Sequence, residues 1–170
     1  MPTTFPIPIT FRLPDGAWEA VPPESLGVVN AAFLAVRREH VGEGYAPTIT
    51  LSGDVVPDGA TLEQVADTAV DVLAAQAQDT RLVKRQAYGS PAAPGLLQQL
   101  DCQIETTDGP RDVRQLQAFV ELLDQHDPAR RAVAKIVLST TVGQHDVYVP
   151  EFQEFLRSVV VAPAPDESAG

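Results

Sequence analysis

The chain has 170 residues, 44% of them hydrophobic, with 23 acidic against 12 basic side chains and a formal net charge of -11. That length suits one core, and folding would bury roughly 70% of the surface the unfolded chain exposes. The negative field repels phosphate backbones and anionic lipid headgroups, which argues against nucleic acid as a partner, and no apolar run approaches the roughly eighteen residues of a spanning helix.

In chain order, Ile7, Ile9, Phe11 and Leu13 alternate with Pro6, Pro8, Thr10 and Arg12, the period-two pattern of a half-buried strand. Pro6 and Pro8 cannot donate to a ladder and share parity, so this strand is expected at a sheet edge. "PDG" after it predicts a type I turn and a return strand over 18–21, with the Trp18 ring over the core and its indole N–H on a backbone acceptor. "VVNAAFLAV", 28–36, is apolar on both faces apart from Asn30 and predicts a central strand, ended by Arg37, Arg38 and Glu39. "PTITLSG" then turns Ile49 and Leu51 inward and Thr48, Thr50 and Ser52 outward.

The spacing after residue 60 predicts a helix. Thr61 with Gln64 forms a capping box, Leu62, Val65, Ala66, Ala69, Val70 and Leu73 make one apolar stripe, and Glu63, Asp67 and Asp71 fall on the far side. "RLVKRQAYGSPAAPG" reads as a short strand and loop. Residues 96–106, 113–123 and 132–142 read as three strands of an antiparallel meander, turned by "TDGPRD" and "QHDPAR". "DVYVPEFQEFLRSV" predicts a last helix with Phe152, Phe155, Leu156 and Val159 on one face and Pro150 in its first turn. The segment 162–170 has too little to bury and is expected to be a mobile tail. The order implies α+β architecture in one domain over 1–161, an antiparallel sheet of about six to eight strands packed by two main helices.

This layout, from "FRLPDGAW" through a strand pair, the "GATLEQVADTAVDVL" helix, a long meander and a C-terminal helix, resembles the LpqN-type lipoproteins of actinobacteria, in the PsbP-like superfamily. The resemblance spans nearly the whole chain. Ala17 departs from it by standing between Gly16 and Trp18, and the sole cysteine, Cys102, lies mid-strand where those lipoproteins carry one after a signal peptide. A soluble relative is implied, with a sheet packed by helices and a non-enzymatic protein-interaction or adaptor role. Related folds also serve as secretion chaperones, and no catalytic residue carries over.

The chemistry-bearing residues agree. One cysteine allows no intramolecular disulfide, and the first residues lack a basic segment before an apolar run, so a cytoplasmic location is expected. His40, His126 and His145 have no metal-ligand spacing, and no phosphate loop or dinucleotide fingerprint is present, so neither metal, cofactor nor catalysis is expected. His126-Asp127 and His145-Asp146 read either as a base with its orienting carboxylate or as a turn and a helix entry. Cys102 shares parity with Leu100 and Ile104 and is expected to pack as a small hydrophobe.

Gln99, Asp101 and Gln103 alternate outward on one strand, and the next offers Gln115, Gln117 and Glu121 around Phe119. This gives either a solvated sheet face or a protein-binding surface with Phe119 exposed on it. A second reading is a site for a small apolar ligand, suggested by Ala31, Ala35, Ala66 and Ala69.

Overall fold

The structure, a computed structural model, describes residues 9–14, 18–26, 28, 31–40, 45–57, 59–90, 93–106, 108–123 and 131–161. Its elements are β1 (Ile9–Thr10), β2 (Trp18–Ala20), β3 (Phe33–Arg37), β4 (Thr48–Val55), α1 (Leu62–Gln76), β5 (Gln78–Ser90), β6 (Ala93–Thr106), β7 (Gly109–Leu123), β8 (Arg131–Thr141), α2 (His145–Ser158) and β9 (Val160–Val161). Seven strands form one antiparallel sheet in the order β2-β3-β4-β8-β7-β6-β5, and β1 pairs with β9 in a separate ribbon. The α+β architecture expected from the sequence is the one observed.

The meander sets the frame. Between β6 and β7 the chain reverses where Gly109 adopts φ 99°, a left-handed conformation that side chains resist, and the Thr106 hydroxyl donates to Gly109 O at 2.7 Å and accepts from Asp108 N at 3.2 Å. The return of β8 beside β4 brings the two halves of the chain together.

Each face of the sheet carries one helix. On one, Phe152, Phe155 and Tyr148 of α2 pack on Ile49, Leu51, Ile136 and Leu138, with Phe11 and Phe33 edge-on at 4.7 Å beside them. Trp18 closes this core at 7% exposure, edge-on to Tyr148 at 5.9 Å. Arg37, opposite Trp18 in the register, lies over both rings at 5.9 and 5.2 Å and forms ion pairs with Glu39 at 2.6 Å and Glu151 at 3.1 Å, so cation–π and charge contacts fasten α2 to the β2–β3 margin. On the other face, α1 lies over β5, β6 and one margin of β7. The Thr61 side chain accepts from Gln64 N at 3.1 Å while Gln64 Oε1 accepts from Thr61 N at 3.0 Å, the capping box read from the sequence. Ala66, Ala69 and Leu73 are buried, and Glu63, Asp67 and Asp71 are exposed.

Several local expectations are corrected. β1 does not form a hairpin with β2; it pairs with β9 at the end of α2, where Ser158 Oγ accepts from Arg12 N at 2.9 Å and donates to Phe155 O at 2.7 Å. β3 begins at Phe33, because Val28 N still bonds back to Pro23 O in the preceding turn, and it lies second from the sheet edge. β5 is a strand of 13 residues at the opposite edge, longer than expected, since β6 offers it a full ladder. α2 starts at His145, where Thr141 and Gln144 exchange hydrogen bonds in a tight turn, so Pro150 sits inside the helix and removes one N–H from its ladder. The Trp18 ring is buried as expected, but its indole N–H finds no acceptor among the described residues. Pro6, Pro8, the "DG" of the first turn, Asn30, His126, Asp127 and the tail 162–170 lie outside the described residues.

Replacing Trp18 by Ala should lower stability by about 3–5 kcal/mol, read by urea denaturation followed by circular dichroism. Thr61→Ala, which removes only the cap, should cost about 1 kcal/mol in the same measurement.

Candidate binding groove

The β6–β7 register pairs Gln98 with Gln117 and Leu100 with Gln115, so even positions of β6 share a face with odd positions of β7. That parity divides the residues read from the sequence as one surface. Gln99, Asp101 and Gln103 lie on the α2 face, and Gln115, Gln117, Phe119 and Glu121 lie on the α1 face. Phe119 is not exposed: at 0% exposure it packs under α1 against Ala66 and Ala69. Gln117 is buried as well, at 1%.

Beneath α1 the amides form a directed chain. Arg85 Nε donates to Gln98 Oε1 at 2.9 Å, Gln98 Nε2 donates to Ala66 O at 3.1 Å and to Gln117 Oε1 at 2.8 Å, and Gln117 Nε2 donates to Gln115 Oε1 at 2.8 Å. A guanidinium can only donate, so it sets the orientation of each amide after it. The chain ends with the Gln115 Nε2 donors, which have no partner among the described residues. Asp67 on α1 anchors the other end by an ion pair to Arg85 at 2.8 Å.

Gln115 opens into a groove. α1 stops short of β4 and β8, leaving a cavity of about 1020 Å³ between the helix and the sheet. Its helical wall is Val65, Thr68, Ala69, Val72, Leu73 and Gln76, and Val28 and Ala31 also line it. The floor carries Thr48, Thr50 and Ser52 of β4, Gln115, Gln117 and Phe119 of β7, and Val133, Lys135, Val137 and Ser139 of β8. Of the small residues read as facing a cavity, Ala69 and Ala31 line this groove, Ala66 is sealed against Phe119, and Ala35 is buried on the other face. Ser139 and Tyr45 share a hydroxyl hydrogen bond at one end, and burial pushes the Tyr45 phenol up, keeping it protonated.

Lys135 stands between Ser52 on β4 and Phe119 on β7, with Val133 and Val137 two residues away on the same face. It makes no ion pair or hydrogen bond among the described residues, and burial pushes its ammonium down from the usual lysine value. Asp54 lines the same groove but is exposed and does not pair with it. Sequence reasoning passed over Lys135, although the lone charge in "AVAKIVLST" was visible in it.

On the α2 face, Arg114 grips Asp101 with two bonds of 2.7 and 3.0 Å, and these hydrogen bonds hold the Asp101 carboxyl below the usual carboxylate range. Asp101 and Gln103 line a smaller cavity of about 360 Å³ with Arg81 and Arg114, while Gln99 lies alongside on β6. Glu121 pairs with Arg131 at 2.6 Å. Cys102 is buried as expected, its thiol pushed up by burial, and His145 is buried at the start of α2 with no hydrogen bond to Asp146. Among the described residues no three His, Cys, Asp or Glu side chains are grouped to hold a metal, and no helix is long and apolar enough to cross a membrane.

Comparison with solved structures gives the fold its relatives. The chain is similar to LpqN of Mycobacterium tuberculosis, involved in cell envelope biogenesis, at 13% identity and TM-score 0.64 over 91% of this chain and 83% of that one. It is similar to the Ran-binding protein Mog1p of Saccharomyces cerevisiae at 17% identity and TM-score 0.55 over 90% and 89%. It is also similar to cyanobacterial PsbP of Synechocystis, at 12% identity and TM-score 0.55 over 91% and 86%. The chain therefore has the PsbP-like fold. No protein-family model and no curated protein matches its sequence.

The amide chain is predicted to hold α1 on the sheet. Gln98→Leu keeps the volume but strands Gln117 Oε1 and Arg85 Nε, and should cost about 1–3 kcal/mol. In chemical denaturation the Gln98→Leu/Gln117→Leu double variant should lose less than the two single losses added together, because their shared bond is counted in both.

Proposed function

We propose that this chain is a non-catalytic protein-interaction module that holds an extended segment of a partner protein in the groove between α1 and the β4–β8–β7 floor. The groove carries the reading: about 1020 Å³, with a mostly apolar helical wall and a floor on which hydroxyls and amides alternate with Phe119, Val133 and Val137. A polypeptide needs both, because its side chains bury on an apolar wall while its backbone groups must be hydrogen-bonded when they leave water. An alkyl ligand suits the floor less well. It would desolvate Thr48, Thr50 and Ser52 without offering them an acceptor, at a cost of roughly 1–3 kcal/mol for each hydroxyl so buried.

The relatives support the same class of role, since one neighbour sharing this fold is a Ran-binding protein. They do not supply the partner. An adaptor of the LpqN type is the form of this function that the sequence resemblance favours.

A photo-crosslinking side chain at Val72, on the groove wall, should capture a partner in the native host. The same group at Val147, exposed on α2 across the sheet, should not. Filling the groove by Thr50→Trp should abolish the Val72 adduct while leaving circular dichroism unchanged. Equal adducts from both positions, or an adduct indifferent to Thr50→Trp, would refute the groove as the binding surface.

A further inference from the structure

The geometry points to an acidic side chain as the specific feature this groove recognises: Asp or Glu of an extended partner segment seated on Lys135. The inference rests on the groove reading of the preceding subsection and adds the chemistry of the occupant.

Three observations carry it. First, among the described residues that line the groove Lys135 is the cationic one, and neither Asp54 nor any other described residue pairs with it, although the chain as a whole carries -11. A cation left half-buried between Phe119 and Ser52 is under-compensated, and an incoming carboxylate restores its pairing. Second, apart from the exposed Asp54, the polar groups beside Lys135 offer donors. Gln115 presents Nε2 because Arg85 has oriented the whole amide chain, and Thr48, Thr50 and Ser52 bring hydroxyls that hold no other partner among the described residues. Backbone carbonyls and carboxylates are the acceptors that such a floor satisfies.

Third, the register spaces these groups for an extended chain. Lys135 lies opposite Phe119 and Ser139 lies opposite Gln115, so the ammonium and the Gln115 amide stand four residues apart along the strands, roughly 13 Å at about 3.3 Å per residue. An extended peptide lying along β8 can place its acid on Lys135 and a carbonyl about four residues away on Gln115. Val65, Val72 and Leu73 then cover the side chains between.

The test selects short random peptides from a display library against the full chain. The recovered peptides should share Asp or Glu at one position, and selection against Lys135→Met should lose that preference while Lys135→Arg keeps it. For one recovered peptide, replacing its acid by the amide should weaken binding to the wild-type chain roughly tenfold or more by calorimetry, a comparison that needs no variant of this chain. The chain contains two lysines, Lys84 and Lys135, so acetylation read by mass spectrometry locates the contact: the peptide should protect Lys135 and leave exposed Lys84 reactive.

Recovered peptides that protect Lys135 yet tolerate the acid-to-amide change would overturn the acidic specificity and leave the groove standing. Peptides that protect neither lysine, or a selection that recovers none, would overturn both. Sodium decanoate protecting Lys135 where the selected peptides do not would assign the groove to a lipid-like carboxylate and remove the peptide.

Discussion

The α1 side of the molecule depends on one buried amide. Gln98 sits at 1% exposure in the middle of β6 and is bonded on three sides: to Arg85 on the edge strand, to Gln117 on the next strand, and to the Ala66 carbonyl inside the helix. A buried amide left half-paired is costly, so the helix is held at the height and rotation that complete those bonds. Apolar packing of Leu62, Val65, Val70 and Leu73 supplies contact on either side of that amide, while the Gln98 bond to Ala66 O fixes one backbone atom of the helix to one side chain of the sheet. Once α1 is pinned over β5 and β6, its far side meets β8 at Val133 and leaves the rest of β4 and β8 uncovered. The open strip that remains is the groove.

The two faces of the sheet thus solve different problems. The α2 face is closed with aromatic side chains, Trp18, Tyr148, Phe152 and Phe155, and with the Arg37 cluster that clamps helix to strand. It holds the largest of the hydrophobic clusters formed by the described residues, and its aromatic rings bury large apolar side chains. The α1 face gains its order from directed hydrogen bonds and spends less surface on packing, which leaves hydroxyls, an amide and an ammonium accessible. Stability on one side and recognition on the other is a division that an antiparallel sheet permits, because alternate residues of each strand serve different faces.

Much of the architecture was legible in the chain. The capping box and apolar stripe of α1, the three long strands of the meander and the aromatic face of α2 follow from periodicities that a local window contains. What periodicity does not contain is partnership. "FRLPDGAW" reads as a hairpin because a turn signal follows an alternating run, yet β1 pairs with a strand some 150 residues later, at Val160–Val161. The candidate site failed to read for the same reason. Gln99 and Gln115 each alternate correctly on their own strands, but whether they share a face depends on a register that neither strand specifies alone.

The sequence by itself determined the main strands and both helices, the α+β class, the buried Cys102 and the buried Trp18, since each depends on local pattern and on the apolarity of single side chains. Tertiary structure alone decided that Phe119 is covered, that Gln98 and Gln117 form a buried relay, and that Lys135 faces an open groove without a counterion among the described residues. The physical reason is that burial and charge pairing belong to neighbours in space, and in this sheet those neighbours are set by strand register and by where one helix comes to rest.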